Sequence, residues 1–218
     1  MVRGVLFDMD GLMFDSQSVW DRLWAPALVR YGLAPTAAFV QDARGTTGDA
    51  TMRAIHEHFG RDVDARGVYA ELTRLAYDAF RAGAPAKPGL SRLLAELRER
   101  GLPCTVASSS PRDMIVNNLR RAGVDGLVDL GAITCGSDVH RSKPAPDIFL
   151  EAARRLGVEP GEALVLEDSF QGVRAGAAGG FVTVMVPDAA QPTPEIRGLC
   201  AAVCATLSDV ADLLGRWA

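Results

Sequence analysis

The chain has 218 residues, 48% of them hydrophobic and 23% charged, with a formal net charge of −4. This acidic balance lacks the basic stripe that a nucleic-acid-binding face needs, and no apolar run reaches the ~18 residues of a membrane span. The length suits one large domain, or one domain carrying an insert.

The first element is the strand "VRGVLF" (2–7), which runs directly into the acidic stretch "DMDG". An opening strand argues against a signal peptide. With no CxxC pair among Cys104, Cys135, Cys200 and Cys204, reduced thiols and a cytoplasmic location are the expectation. From residue 16 to 85 the periodicity is helical. "SVWDRLWAPALVRYG", "DATMRAIHEHFG" and "VYAELTRLAYDAFRAG" place apolar residues three to four apart and end at or near glycine. His56 and His58, two apart on such a helix, do not share a face and are expected to be exposed. Trp20 and Trp24, at helical spacing, read as packing residues.

"PAKPG" (85–89) ends this block, and alternation begins. Helix "LSRLLAELRERG" leads to strand "LPCTVA", helix "PRDMIVNNLRRAG" to short strand "GAITC", helix "APDIFLEAARRLG" to "EALVLE", and helix "FQGVRAGAAGG" to "FVTVMV"; a helical "SDVADLLGRWA" closes the chain. Strands alternating with helices predict an α/β fold, a doubly wound (Rossmann-like) parallel sheet. The core is expected to span residues 1–15 and 86–218, with an all-helical cap inserted over 16–85.

Ligands of such sheets lie beyond the carboxyl ends of the strands. There the sequence offers Asp8 and Asp10 after the first strand, then Ser108, Ser109 and Ser110 after "LPCTVA". Glu167 and Asp168 follow at the end of "EALVLE", and Lys143 stands in "RSKPAPD". Oxygen donors without histidine suit a hard cation such as Mg²⁺, held by Asp8, Glu167, Asp168 and the backbone carbonyl of Asp10. A carboxylate approaching a phosphate dianion meets repulsion of about 4 kcal/mol per pair of charges at ~4 Å and an effective dielectric of ~20. Mg²⁺ and the Lys143 ammonium would reverse that field. Ser108, and the backbone N–H groups of the "SSSP" turn including that of Ser109, would then donate to phosphoryl oxygens. Neighbouring carboxylates titrate as a coupled pair, so Asp8 attacks while Asp10 keeps a proton to transfer. Ser110, before Pro111, is the natural cap of the next helix. Gly172 is expected to allow close helix packing. Lys143 is one of two lysines in an arginine-rich chain, the other being Lys87.

In order and across nearly the whole chain, "DMDGLMFDS", "VASSS", "SKPAPDIF" and "LEDSFQG" resemble the four motifs of the haloacid dehalogenase superfamily. The helical insert after the first motif is similar to that of its β-phosphoglucomutase-like and sugar-phosphatase branch. The resemblance implies an aspartyl-phosphate on Asp8 and general acid–base catalysis by Asp10. It further implies a phosphoryl grip by Ser108 and Lys143, and Mg²⁺ organised by Glu167 and Asp168. The branch's substrate-selecting loop falls on "RGTTG" (44–48), where Arg44, Thr46 and Thr47 either face the site or form a plain turn between helices. β-Phosphoglucomutases carry a histidine and an arginine where this chain has Trp20 and Gly48. Hydrolysis of a small phosphorylated metabolite, such as a sugar phosphate, is therefore the expectation and a phosphosugar mutase the alternative. Phosphonatases need a cap lysine for a Schiff base, and residues 16–85 contain none.

Overall fold

The computed structural model describes residues 1–44, 46, 48–188 and 190–217. The chain divides into two compact units, Met1–Asp15 with Pro85–Ala218, and Ser16–Ala84. Strand β1 (Gly4–Phe7) opens the first unit; α1 (Ser16–Val29), α2 (Ala37–Ala43), α3 (Asp49–Phe59) and α4 (Ala65–Ala82) make the second. The first unit resumes with α5 (Leu90–Glu99), β2 (Cys104–Ser108), α6 (Arg112–Arg121), β3 (Thr134–Cys135) and α7 (Asp147–Leu156). It ends with β4 (Ala163–Glu167), α8 (Phe170–Ala178), β5 (Val182–Met185), α9 (Pro194–Leu199), β6 (Ala202–Val203) and α10 (Leu207–Leu213).

The helical unit has its own core. Trp24 and Leu28 of α1, Phe39 of α2, Ile55 of α3, and Val68 and Leu72 of α4 are buried together. Phe39 is its pivot, meeting the Trp24 and Phe59 rings edge-on at 4.7 and 4.8 Å between centroids, a favoured aromatic geometry. Trp20 packs at this core's margin, its ring 5.2 Å from that of Phe80. The expected exposure of the two histidines is corrected here: both are half-buried. Their faces differ, but each meets a neighbour. His58 Nε2 lies 2.8 Å from Asp42 on α2, and His56 Nε2 lies 3.2 Å from the Val63 carbonyl.

The other unit is a six-stranded sheet of order β3-β2-β1-β4-β5-β6, and every pairing is parallel. Strands β1, β2 and β4 are buried at every residue, as a sheet covered on both faces requires. Helix α7 turns Ile148, Phe149, Ala152 and Ala153 onto Leu6, Ala107 and Val165 of the three central strands. From β1 the chain builds outward on one side through β2 and β3, and on the other through β4, β5 and β6. The crevice beyond the carboxyl end of β1 is therefore the topological switch point where such sheets bind ligands. Among the described residues no helix is long and apolar enough to cross a membrane.

Candidate active site

Asp8 is the first residue past β1, and its N–H donates to the Leu166 carbonyl of β4 at 3.0 Å. The ladder thus extends by one residue and fixes Asp8 against the end of the neighbouring strand. Lys143 reaches the same place from the turn ahead of α7. Its Nζ donates to Asp8 Oδ1 at 2.5 Å and to Glu167 Oε1 at 2.6 Å. The ammonium also lies 4.7 Å from the Phe149 ring centroid, within cation–π range. Side-chain exposure is 10% for Lys143, 10% for Asp8 and 1% for Glu167, so solvent screens these charges weakly.

Glu167 is held at both ends. While Oε1 accepts from Lys143, Oε2 accepts from the Asp168 N–H at 2.9 Å, the Ser169 N–H at 2.8 Å and Ser169 Oγ at 2.9 Å. Ser169 Oγ in turn caps α8 by accepting from the Gly172 N–H. The role of Gly172 is more specific than the helix packing expected of it: a Cβ there would stand 1.7 Å from Glu167 Oε1. The absent side chain makes room for the carboxylate. Gly11 does the same for Asp168, because a Cβ on it would lie 2.2 Å from Asp168 Oδ2. Its φ of +85° is in any case a conformation that favours glycine.

Donor oxygens of Asp8, Glu167 and Asp168 lie within 4.8 Å of one another. Burial, with the neighbouring Glu167 and Asp10 charges, pushes the Asp8 carboxyl up to about 7 against the pull of Lys143. Asp168 is pushed up to about 9 by burial and by the Asp8 and Glu167 charges. For Lys143, burial acts to lower the pKa, but the Asp8 and Glu167 carboxylates prevail and raise it, so it is a cation throughout the physiological range. These shifts are the mark of excess negative charge gathered out of water. An all-oxygen donor set in that state fits Mg²⁺ or another hard divalent cation.

The serines after β2 complete the crevice. Ser108, the last residue of the strand, is buried, and its Oγ accepts from the Ser110 N–H at 3.1 Å. Among the described residues no acceptor is seen for the Ser108 O–H, which can donate onward. Ser110 departs from the expected capping role: the cap position of α6 is Pro111, without a side-chain hydrogen bond. Ser110 Oγ donates instead to Asp10 Oδ2 at 2.6 Å. Ser109 between them is exposed.

Asp8, Asp10, Ser108, Lys143, Glu167 and Asp168 are thus brought to one edge of the sheet. Arg44 and Thr46 belong to the helical unit and bond within it. Arg44 Nη2 pairs with Asp21 at 2.6 Å, and Thr46 Oγ1 meets the Ala43 carbonyl at 2.8 Å and Thr51 Oγ1 at 2.9 Å. Thr47 lies outside the described residues. Two further charged residues at this edge escaped the sequence reading. Asp188, beyond β5, has its Oδ2 3.3 Å from where a Gly11 Cβ would stand, and Lys87 pairs with its Oδ1 at 2.6 Å. The scarcity of lysine was the one sequence signal that pointed to Lys87.

A family model of haloacid dehalogenase-like hydrolases matches residues 2–180. Hexitol phosphatase A of Escherichia coli (strain K12) is 33% identical over 199 residues, covering 89% of this chain and 87% of that protein. A Drosophila melanogaster protein named probable pseudouridine-5′-phosphatase is 35% identical over 193 residues, covering 86% of this chain and 82% of the other. The solved structure of a HAD family hydrolase from Deinococcus radiodurans R1, with bound phosphate and sodium, matches with a TM-score of 0.84 at 26% identity. That match covers 99% of this chain and 96% of the other. With the carboxylate–lysine cluster at the switch point and these likenesses together, the chain belongs to the haloacid dehalogenase-like hydrolases and stands among their phosphoric monoester hydrolases.

Proposed function

We propose that the protein is a Mg²⁺-dependent phosphatase of small phosphorylated metabolites, sugar phosphates foremost, working through an aspartyl-phosphate on Asp8. The observation that carries this reading is Lys143 Nζ bridging Asp8 and Glu167 at 2.5 and 2.6 Å beside Asp168. Such a bridge compensates a carboxylate that has to meet a phosphate dianion. The substrate class is supported by the relatives named for hexitol and pseudouridine 5′-phosphates.

In this reading Asp8 and Asp168 would hold the cation with the Asp10 carbonyl, and Glu167 of the same cluster would share in its charge balance while it fixes Lys143 and the turn into α8. When bound, Mg²⁺ supplies the positive charge that keeps Asp8 ionised and screens the phosphoryl oxygens. Asp8 attacks phosphorus, and an O–P bond forms as the ester O–P bond breaks. Asp10 gives its proton to the leaving oxygen. It then takes a proton from the water that attacks phosphorus and releases Asp8. Ser108 Oγ–H and the Ser109 backbone N–H donate to the phosphoryl oxygens, where fixed donors are worth most in a site shielded from water. The helical unit takes the part of the substrate-selecting cap, with Arg44, Thr46 and Thr47 as its candidate contacts.

The test is a panel of phosphate esters that includes hexitol phosphates, pseudouridine 5′-phosphate and β-glucose 1-phosphate, assayed with Mg²⁺ and with EDTA. Phosphate release that needs Mg²⁺, and that falls at least about a thousandfold in Asp8→Asn, is the expected outcome. Turnover by Asp8→Asn near the wild-type rate defeats the nucleophile assignment. Conversion of β-glucose 1-phosphate to glucose 6-phosphate without phosphate release makes the protein a mutase.

A further inference from the structure

The segment that returns from the helical unit is stitched to the one that leaves for it. The Asp15 N–H donates to the Pro85 carbonyl, the Lys87 N–H donates to the Met13 carbonyl, and Phe14 bridges Ala86. Lys87 is therefore fixed by its backbone, and its side chain is available for another purpose. That side chain ends 2.6 Å from Asp188 Oδ1, in a pair only 24% and 19% exposed. The other oxygen of Asp188 and the Oδ2 of Asp168 lie against the same side of Gly11, 3.3 and 2.2 Å from where its Cβ would be. Asp188 is thus a fourth carboxylate at the edge of a cluster that already holds Asp8, Glu167 and Asp168. It is near enough that its charge bears on Asp168.

We propose that the Lys87–Asp188 ion pair is a positioning device for the metal site. Asp188 adds negative charge beside Asp168, Lys87 offsets that charge, and the balance sets the affinity of the cluster for a divalent cation. The inference rests on the metal reading of the cluster given above. It makes Lys87 and Asp188 act through Asp168, with neither touching substrate. Outer residues of this kind change metal affinity by about ten- to a hundredfold.

The sign of the effect separates electrostatic tuning from mere structural support. Asp188→Asn removes a negative charge and leaves the Lys87 ammonium uncompensated, so Mg²⁺ binding weakens by about tenfold. Lys87→Met removes the offsetting cation and leaves Asp188 charged, so binding tightens by a similar factor. Lys87→Arg keeps the charge and stays close to the wild-type value. Isothermal titration of each purified full-length protein with MgCl₂ alone reads these constants without any assay of activity. Circular dichroism identifies the folded variants, and Lys87→Gln replaces Lys87→Met if the latter does not fold. Opposite shifts for the two charge-removing variants support the proposal. Shifts in the same direction, or constants equal to that of the wild type, overturn it. A wild-type protein that takes up no Mg²⁺ overturns the metal reading and this inference with it, whereas wild-type binding with unmoved variants sinks the inference alone.

Discussion

The hydroxyl of Ser110 donates to Asp10 Oδ2 at 2.6 Å while the backbone N–H of the same residue donates to Ser108 Oγ at 3.1 Å. One residue thus orients both the proton-transfer candidate and the candidate phosphoryl donor. Once Asp10 has given up its proton and must act as the base, the bond from Ser110 is one to a charged group. Such a bond contributes about 1.5–3 kcal/mol, and about 1.4 kcal/mol corresponds to a factor of ten in rate. Ser110→Ala should therefore lower kcat by about ten- to a hundredfold, with KM little altered because Ser110 does not itself grip the substrate. Ser110→Thr, which keeps the hydroxyl, should recover most of the rate. Steady-state kinetics on the best ester of the panel measures this, and equal losses in the alanine and threonine variants would remove Ser110 from the mechanism. The partner of Ser110 was not legible in the sequence for a physical reason. A serine before "PRD" looks like a cap, and local pattern carries no trace of an acceptor 100 residues earlier in the chain. Asp8 and Glu167 were legible because each stands at the end of a recognisable buried strand, where the fold class alone says that chemistry collects. Lys143, in the turn ahead of α7, was legible through the motif "SKPAPDIF" and the scarcity of lysine.

At the scale of elements, the turn from β4 into α8 joins fold to site, and its geometry depends on Gly172. A methyl group at 1.7 Å from Glu167 Oε1 cannot be accommodated without moving the carboxylate, and moving it separates Lys143 from one of its two partners. Overpacking a tight site destabilises by about 1–3 kcal/mol, and breaking a buried ion pair by about 3–5 kcal/mol. Gly172→Ala is expected to lose about 2–4 kcal/mol in urea unfolding. Gly198→Ala, within α9 and with no atom within 4 Å of its would-be Cβ, should be neutral or slightly stabilising, since alanine is the better helix former. Equal effects at the two positions would show that Glu167 does not depend on the bare glycine. Other elements differed in how far the sequence announced them. The strands β1, β2, β4 and β5 stood out as continuous apolar runs, and the long helices as amphipathic ones. Helices α2 and α9 and the two-residue strand β6 went unread. They are too short to complete a hydrophobic period, and they exist because neighbouring elements supply packing partners, such as Trp24 for Phe39 and Val173 and Met185 for Ile196.

For the molecule as a whole, the carboxylate cluster makes stability depend on pH in a direction that a cation should reverse. In the unfolded chain Asp8 and Asp168 titrate near 3.8, whereas in the folded protein burial, with the like charges around them, pushes them up to about 7 and about 9. Between those limits the native state binds more protons than the unfolded state, so stability falls as pH rises. Each excess proton contributes a slope of about 1.4 kcal/mol per pH unit. The other shifted groups act outside the window from pH 5 to 8. Glu71 and Glu151, held at about 2 by hydrogen bonds from Arg74 and from Arg154 with Arg155, contribute stability that is present above the unfolded glutamate value and lost as pH falls toward 2. Lys143, raised above its ordinary value, contributes stability that is complete below the unfolded lysine pKa and lost only as pH climbs through its folded one. Burial raises the Cys104 thiol to about 12, so its effect begins above the ordinary thiol range. Calorimetric melts in EDTA should therefore show the transition of the sheet unit moving to lower temperature from pH 5 to pH 8. A divalent cation competes with the protons on Asp8 and Asp168, so the stabilisation gained on adding Mg²⁺ should widen steadily over the same range. A Mg²⁺-induced shift of the same size at every pH would mean that the ion binds elsewhere, and that the crowding of charge at the end of β1 is not what the cation answers.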